Sequence, residues 1–188
     1  WQKYGASQTV QFVTVPFEGV VAEILEQVDN PYMGVVLKRM MLRAASQLAE
    51  LMDMQALVSG ESVAQVASQT MPNLSIIDRV TDTLVLRPLI TMDKRDIIQL
   101  SRQIGTETFS ANVPEYCGVI SVKPTTAARL HRVEAQEAKF NCDLLEQAMA
   151  RREVCAVQDL ARKSEDEAEV PIETQVPSGA RVIDIRHP

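Results

Sequence analysis

The chain has 188 residues, a formal net charge of −6, 46% hydrophobic residues and only 4% aromatic residues. This length predicts one compact unit with part of another, and a core of aliphatic side chains and eight methionines favours helices packed on a sheet over a β-sandwich. The acidic balance excludes a surface that attracts nucleic-acid phosphates everywhere, so any RNA contact must be local.

The first part of the chain alternates strand and helix patterns. Residues 10–15 alternate as a strand does, and apolar residues then recur at helical spacing over residues 20–28. A long helix is predicted over residues 33–48, with its apolar residues on one inner face. A short apolar strand follows at residues 56–58, and residues 61–69 are predicted as the next helix.

The alternation continues through the middle of the chain. Residues 74–77 and 84–86 are predicted as two further strands. Asp93 is a candidate N-cap for a helix over residues 94–104, and Gly105 stands where that helix would end. The pattern therefore predicts a parallel sheet with covering helices.

A loop and two helices are expected next. The loop covers residues 106–124, and Thr125 or Thr126 is expected to cap a polar helix that ends near Lys139. Residues 142–151 are predicted as the second helix. The last part begins with a charge run at residues 163–169, followed by a connector at residues 171–179. An apolar strand at residues 181–186 is expected to be the first strand of a new domain.

The cysteines and the two ends of the chain indicate where the protein is located and whether the chain is a fragment. Three distant cysteines and two histidines give no spacing for a tetrahedral metal site, so no metal ligands are predicted. No signal peptide or long apolar span is present, which predicts a cytoplasmic location with free thiols. Because the chain starts at Trp1 and stops at Pro188 directly after an apolar run, we expect it to be an internal fragment.

The turn after the strand at residues 56–58 is a candidate anion site. Gly60 allows the backbone to approach a ligand, and free N–H groups at a following helix start would meet an anion. Ligands of open α/β sheets also gather at such carboxyl ends. The alternative is an ordinary tight turn. Gln65 and Gln69 lie one helical turn apart beyond this turn, where they would hydrogen-bond a base or face water.

Three cations stand out on two of the predicted helices. Arg39 and Arg43 are four residues apart, on one side of the long helix, where they would contact phosphates or remain solvated surface. Lys94 lies in the first turn of its helix, where a cation costs about 0.3–1 kcal/mol against the helix dipole. Either an anionic ligand or a nearby acid, Asp93 or Asp96, would compensate for that placement.

The cysteines differ in their settings. Cys117 stands in a turn-like loop between Pro114 and Gly118, which favours exposure, although free cysteines are usually small buried residues. Cys142 and Cys155 fall in stretches read as helical, and both are interpreted as structural.

Four segments together resemble the family of bacterial tRNA 4-thiouridine synthetases, or tRNA sulfurtransferases. They occur in the expected order at residues 33–41, 60–70, 86–90 and 114–121. The resemblance implies a partial Rossmann-like sheet of the adenine-nucleotide hydrolase (PP-loop) class with flanking helices, followed by the start of a rhodanese-like domain. It divides the chain into an ATP-pyrophosphatase domain, a helical extension and a truncated rhodanese-like domain, at residues 1–125, 126–170 and 171–188.

The resemblance also implies roles for individual residues. Lys38, Gly60 and Gln69 are expected to bind ATP, and Lys94 is expected to serve the activation step. Cys117 is expected to work with a persulfide and to form a transient disulfide as sulfur is delivered.

The implied activity is ATP-dependent thiolation of a uridine in the bend of tRNA, with Mg²⁺ accompanying ATP. The implied partners are tRNA, a cysteine desulfurase as persulfide donor and a thiamine sulfur-carrier protein, since the family also supplies sulfur for thiamine synthesis. The family's Ser-Gly-Gly-x-Asp-Ser loop and RNA-binding THUMP region are absent and would lie upstream. Two alternatives are another PP-loop ATP-pyrophosphatase and a non-catalytic module that binds RNA or a protein partner.

Overall fold

The computed structural model describes residues 10–113, 120–157 and 159. The chain forms two compact units. Among the described residues, the larger unit lies within Val15–Arg152, and the smaller consists of residues 10–14, 153–157 and 159. Within the described ranges, no helix has the length and apolar character that a membrane span requires.

The larger unit contains seven α-helices and two strands among its described residues. The helices are α1 (Glu18–Gln27), α2 (Met33–Leu51), α3 (Met71–Ile77), α4 (Lys94–Gln103), α5 (Glu107–Ala111), α6 (Leu130–Glu137) and α7 (Asp143–Ala150). The smaller unit contains β1 (Gln11–Thr14) and β4 (Glu153–Ala156), and the larger one β2 (Ala56–Val58) and β3 (Leu84–Leu86). The strand–helix alternation predicted from the sequence thus corresponds to a helix-rich α/β unit.

The long helix α2 is the centre of the larger unit. Its predicted inner face is confirmed, because Val36 and Met40 are buried and pack in one cluster with Val20 and Ile24 of α1. The helices α1, α3, α6 and α7 all contact α2. Met41 was also predicted on this inner face, and that prediction is wrong because Met41 is 44% exposed.

The strands β2 and β3 run parallel, with Ala56 opposite Leu84 and Val58 opposite Leu86. Both segments were predicted as strands of a parallel sheet, and their parallel pairing confirms this. The pairing extends one step further, because the Ser59 N–H donates to the Leu86 carbonyl over 2.9 Å. The segments that follow each strand therefore leave the same edge of the sheet.

Two elements between these strands were predicted wrongly. Residues 61–69 do not form a helix: they make an irregular loop that ends in a single 3-10 turn, Ala67–Gln69. Ala64 adopts a left-handed conformation with φ of 63°, which an α-helix does not accommodate. Residues 74–77 are part of helix α3 rather than a strand, and a proline in the first turn, Pro72, fits that start. A four-residue apolar run has no periodicity that separates strand from helix.

The smaller unit corrects the predicted sheet. Strand β1 pairs antiparallel with β4, and Phe12 lies opposite Cys155. The strand at residues 10–15 is thus confirmed, but its pairing is antiparallel rather than part of a parallel sheet. Cys155 lies in a strand and not in the helical stretch to which it was assigned.

Helix α4 follows its local signals. The Asp93 carboxylate accepts a hydrogen bond from the Arg95 N–H over 2.9 Å, which confirms the N-cap. Gly105 has φ of 72° just beyond the helix, which confirms its role at the C-terminal end. The loop expected over residues 106–124 contains the short helix α5.

The polar helix α6 starts later than predicted, at Leu130, and neither Thr125 nor Thr126 caps it. Both threonine carbonyls instead accept hydrogen bonds from elements before them, one from Asn73 and one from Thr70. Helix α7 confirms the second predicted helix.

Asn73 is a fully buried polar residue that joins α3 to the segment before α6. Its amide donates to the carbonyls of Ala67 and Thr125 over 2.7 and 2.8 Å, and its carbonyl accepts from the Ala128 N–H over 2.9 Å. The Asn73 side chain is 0% exposed, and its burial is tolerated because both its amide nitrogen and its carbonyl oxygen have hydrogen-bond partners.

We predict that Asn73→Ala destabilises the protein by about 2–4 kcal/mol, because it leaves buried backbone groups without partners. Equilibrium unfolding in urea measures the change. The matched control is Asn112→Ala, which removes an exposed amide bonded to the Thr108 carbonyl and should change stability by less than about 0.5 kcal/mol. Equal effects of the two substitutions would contradict the role of Asn73.

Candidate functional site

The carboxyl edge of the β2–β3 pair carries a chain of four charged side chains. Glu61, three residues beyond β2, lies with one carboxylate oxygen 3.4 Å from the Lys38 Nζ of α2. Its other oxygen accepts a hydrogen bond from Arg87 Nε over 2.8 Å. Arg87 follows β3 directly and also pairs with Asp78 through its two terminal nitrogens.

The Glu61 side chain is only 10% exposed, yet its surroundings favour the charged form. Burial alone would raise the pKa of Glu61. The hydrogen bond from Arg87, the charge of Lys38 and the hydrogen bond from Ser59 outweigh burial and hold the pKa of Glu61 below its ordinary value. The carboxylate is therefore ionised at neutral pH and attracts both cations.

Gly60 lies between the end of β2 and Glu61. A Cβ placed on it would have nothing within 4 Å, so the backbone there borders open space. The expected helix start at this turn is wrong, because no helix follows. Instead the Ser59 hydroxyl donates to the Glu61 carboxylate and accepts from the Glu61 N–H, over 2.9 and 3.2 Å. This small turn fixes Glu61 next to an approachable glycine.

Two hydrogen bonds connect the loop after β2 with the loop after β3. The Ser62 hydroxyl donates to the Met92 carbonyl over 2.8 Å, and the Val63 N–H donates to the Ile90 carbonyl over 3.0 Å. Lys94 follows Met92 by two residues and is the exposed first residue of α4. The loop that contains Gly60 is thus bonded to the segment that leads into Lys94.

Gln69 ends the loop after β2. Its N–H donates to the Val66 carbonyl and its own carbonyl accepts from the Ala64 N–H, over 2.9 and 3.1 Å. Its side-chain oxygen is buried and accepts no hydrogen bond from the described residues. An unsatisfied buried acceptor is costly, which favours a ligand that donates to it. The helical relation predicted between Gln65 and Gln69 is wrong, because that segment is not helical.

Arg39 and Arg43 of α2, which were expected to contact RNA phosphates or solvent, are instead paired with a carboxylate of the protein. The Arg39 side chain is 4% exposed, donates to both oxygens of Glu137 over 2.7 and 3.0 Å, and donates to the Ile76 carbonyl over 2.6 Å. In this arrangement Arg39 neither faces solvent nor presents donors to RNA, which corrects both readings of the sequence. Arg43 donates to the same carboxylate over 2.8 Å on each oxygen and is 31% exposed.

Several charged residues of these clusters were not singled out from the sequence. They are Glu61, Asp78, Arg87 and Glu137. A usable signal existed for two of them, because Glu61 and Arg87 are charged residues that follow short apolar strands closely.

The cysteines divide between described and undescribed residues. Cys117 lies outside the described residues, so its predicted role stays a prediction. Cys142 precedes α7 and is exposed, while Cys155 is partly buried; both are free thiols. Within residues 10–113 and 120–157, no group of three or more His, Cys, Asp or Glu side chains is arranged to hold a metal ion.

Comparison with known proteins gives a consistent result. A sequence model of the family described as thiamine biosynthesis protein (ThiI) matches residues 1–142. The tRNA sulfurtransferases of Pseudomonas aeruginosa and Saccharophagus degradans are 57% and 54% identical to the chain, over 188 and 187 residues. Each alignment covers 100% of this chain and 39% of the relative, so the chain spans about two fifths of their length.

A solved structure is also similar. It is a crystal structure of a 4-thiouridine synthetase–RNA complex with bound ATP, with a TM-score of 0.72 and 30% sequence identity. The match covers 79% of this chain and 40% of that chain. It confirms the predicted α/β class.

The ion cluster of Glu137 generates a prediction about acid stability. Burial would raise the pKa of Glu137, but hydrogen bonds and charge from Arg43 and Arg39 hold it below its ordinary value of 4.5. Because the folded-state pKa is lowered, this contribution to stability is present above about pH 4.5 and is lost as pH falls through the folded-state pKa. Glu137→Gln should cost about 3–5 kcal/mol at pH 7, since it leaves a buried guanidinium without its carboxylate.

Urea unfolding between pH 7 and pH 3 measures this effect. The stability gap between wild type and Glu137→Gln should narrow below about pH 4.5. Glu134→Gln, an exposed substitution on the same helix, serves as the control and should stay within about 0.5 kcal/mol of wild type. A gap for Glu137→Gln that stays constant across the pH range would contradict this account.

Proposed function

The chain belongs to the thiamine biosynthesis protein (ThiI) family, and on that premise we propose that the protein that carries it transfers sulfur to tRNA in an ATP-dependent reaction that forms 4-thiouridine. The observation that carries the proposal is the charged cluster of Lys38, Glu61 and Arg87 beside the open backbone of Gly60 at a parallel-strand edge. Ligands of α/β sheets bind at such edges. The similar 4-thiouridine synthetase has ATP bound, which supports ATP as the ligand.

Three residues fit ATP in different ways. Lys38 would attract phosphate oxygens, and Gly60 would let the chain approach the nucleotide closely, since nothing lies within 4 Å of its Cβ position. The buried acceptor of Gln69 would take a hydrogen bond from a donor such as the adenine amino group. When bound, ATP supplies the adenylyl group that activates the uridine oxygen, and Mg²⁺ would accompany its phosphates.

Lys94 is the proposed residue for the activation step. It is exposed at the start of α4, and the bond between Ser62 and the Met92 carbonyl keeps that start near the loop that contains Gly60. A cation there would stabilise phosphate charge that develops while pyrophosphate leaves.

Cys117 is the proposed thiol for sulfur delivery. Its thiolate would attack the inner sulfur of a protein persulfide, so that a disulfide forms and the outer sulfur leaves as hydrosulfide to attack the activated uridine. A thiol reductant would then restore Cys117. A cysteine desulfurase would supply the persulfide, and a thiamine sulfur-carrier protein would be a second acceptor of sulfur.

The structure favours this function over a non-catalytic RNA-binding module. That alternative depends on a basic face of α2, but Arg39 is buried and Arg43 shares its carboxylate partner. RNA binding through these two residues would require breaking a buried ion cluster, which is costly. The remaining alternative, another PP-loop ATP-pyrophosphatase, differs in its need for Cys117.

We predict that Cys117→Ser in the full-length protein abolishes 4-thiouridine formation and leaves tRNA affinity unchanged, because a hydroxyl cannot replace the thiolate in disulfide exchange. Mass spectrometry of nucleosides from modified tRNA measures the product. The control is Cys142→Ser, which changes an exposed thiol and should retain activity. Normal 4-thiouridine formation by Cys117→Ser would refute the sulfur-delivery role.

A further inference from the structure

We propose that Glu61 is a positioning residue for nucleotide binding, which holds Lys38 at the carboxyl edge of β2 and β3 and releases it to a phosphate group of ATP. The inference rests on the proposed function, because it assigns a task to a residue that faces the same ligand. Glu61 itself, as an anion, would not contact the phosphates.

The two carboxylate oxygens of Glu61 have separate partners. One oxygen lies 3.4 Å from Lys38 Nζ. The other accepts hydrogen bonds from Arg87 Nε and the Ser59 hydroxyl, over 2.8 and 2.9 Å. The carboxylate is thus fixed from the sheet side by two short bonds and faces Lys38 with its remaining oxygen.

Arg87 is fixed on its far side as well. Both of its terminal nitrogens donate to Asp78, at the end of α3. If Lys38 moved, Glu61 could not move with it unless its hydrogen bonds to Arg87 and Ser59 broke. The position of Glu61 is set by the fold and not by the lysine.

The contact with Lys38 is the loosest in this chain of charges. Its 3.4 Å separation exceeds the roughly 2.7–2.9 Å of a charge-assisted hydrogen bond, whereas the Arg87 contact falls in that range. Lys38 also has a flexible stem and remains 18% exposed. An arriving phosphate oxygen can therefore take Lys38 while Glu61 keeps Arg87.

Positioning and simple charge attraction predict opposite effects of neutralising Glu61. If Glu61 acted only as a nearby negative charge, its removal would strengthen the binding of an anion. If it orients Lys38, its removal frees the lysine among many rotamers and weakens binding, since that freedom must then be lost on binding. The sign of the change in ATP affinity distinguishes the two.

The test is ATP binding by isothermal titration calorimetry on the full-length protein. Glu61→Gln keeps the shape of the side chain and removes its charge. It should raise the ATP dissociation constant about tenfold, as expected when a residue that orients a ligand-binding side chain is lost. In a Lys38→Met background the same substitution should have almost no further effect, because the residue through which it acts is gone. A purely structural defect would persist in both backgrounds.

Two more variants complete the design. Glu50→Gln neutralises an exposed acid of α2 that lies outside this chain of charges, and should leave the dissociation constant within about twofold of wild type. Ser59→Ala loosens Glu61 without removing its charge, and should weaken ATP binding about two- to threefold. The latter keeps the inference testable if Glu61→Gln fails to fold, which thermal melting would reveal.

The outcomes separate the inference from the proposed function. A wild-type protein that binds no ATP would overturn the proposed function. If wild type binds ATP and Lys38→Met weakens binding, but Glu61→Gln binds as tightly as wild type or more tightly, the positioning role is wrong and the ATP site stands.

Discussion

Buried carboxylates in the larger unit require cations, and helix α2 supplies them on two sides. Lys38 reaches Glu61 at the sheet edge, while Arg39 and Arg43 surround Glu137 of α6. Adjacent residues of a helix point about 100° apart, so one helix can serve both carboxylates. The pairing fixes how α2 lies between the parallel strands and the later helices, since a buried charge left alone would be costly.

The same constraint shapes the candidate site. Because Glu61 and Arg87 are bound to each other at the ends of neighbouring parallel strands, the loops after both strands are held together, and the Ser62 bond to Met92 adds to this. The open backbone at Gly60 then borders a rigid, charged edge. Such preorganisation reduces the conformational entropy that a site loses when it binds a phosphate group.

The sequence predicted those parts of the fold that depend on local signals. Asp93 and Gly105 mark the ends of α4 because capping and left-handed turns act over a few residues. The loop after β2 was missed because the left-handed conformation of Ala64 has no sequence signal at an alanine. At the site, family resemblance pointed to Lys38 and Gly60, whereas the bond between Glu61 and Arg87 joins residues 26 positions apart and follows only from strand pairing.

The claim that ATP binds at this edge through Lys38 is tested most directly by lysine labelling with mass spectrometry, on the full-length protein with and without ATP. The account predicts that ATP slows modification of Lys38 about tenfold or more, as its ammonium group becomes covered by phosphate. Lys123, an exposed lysine outside the site, should react at the same rate in both samples. Equal labelling of Lys38 with and without saturating ATP would contradict the account.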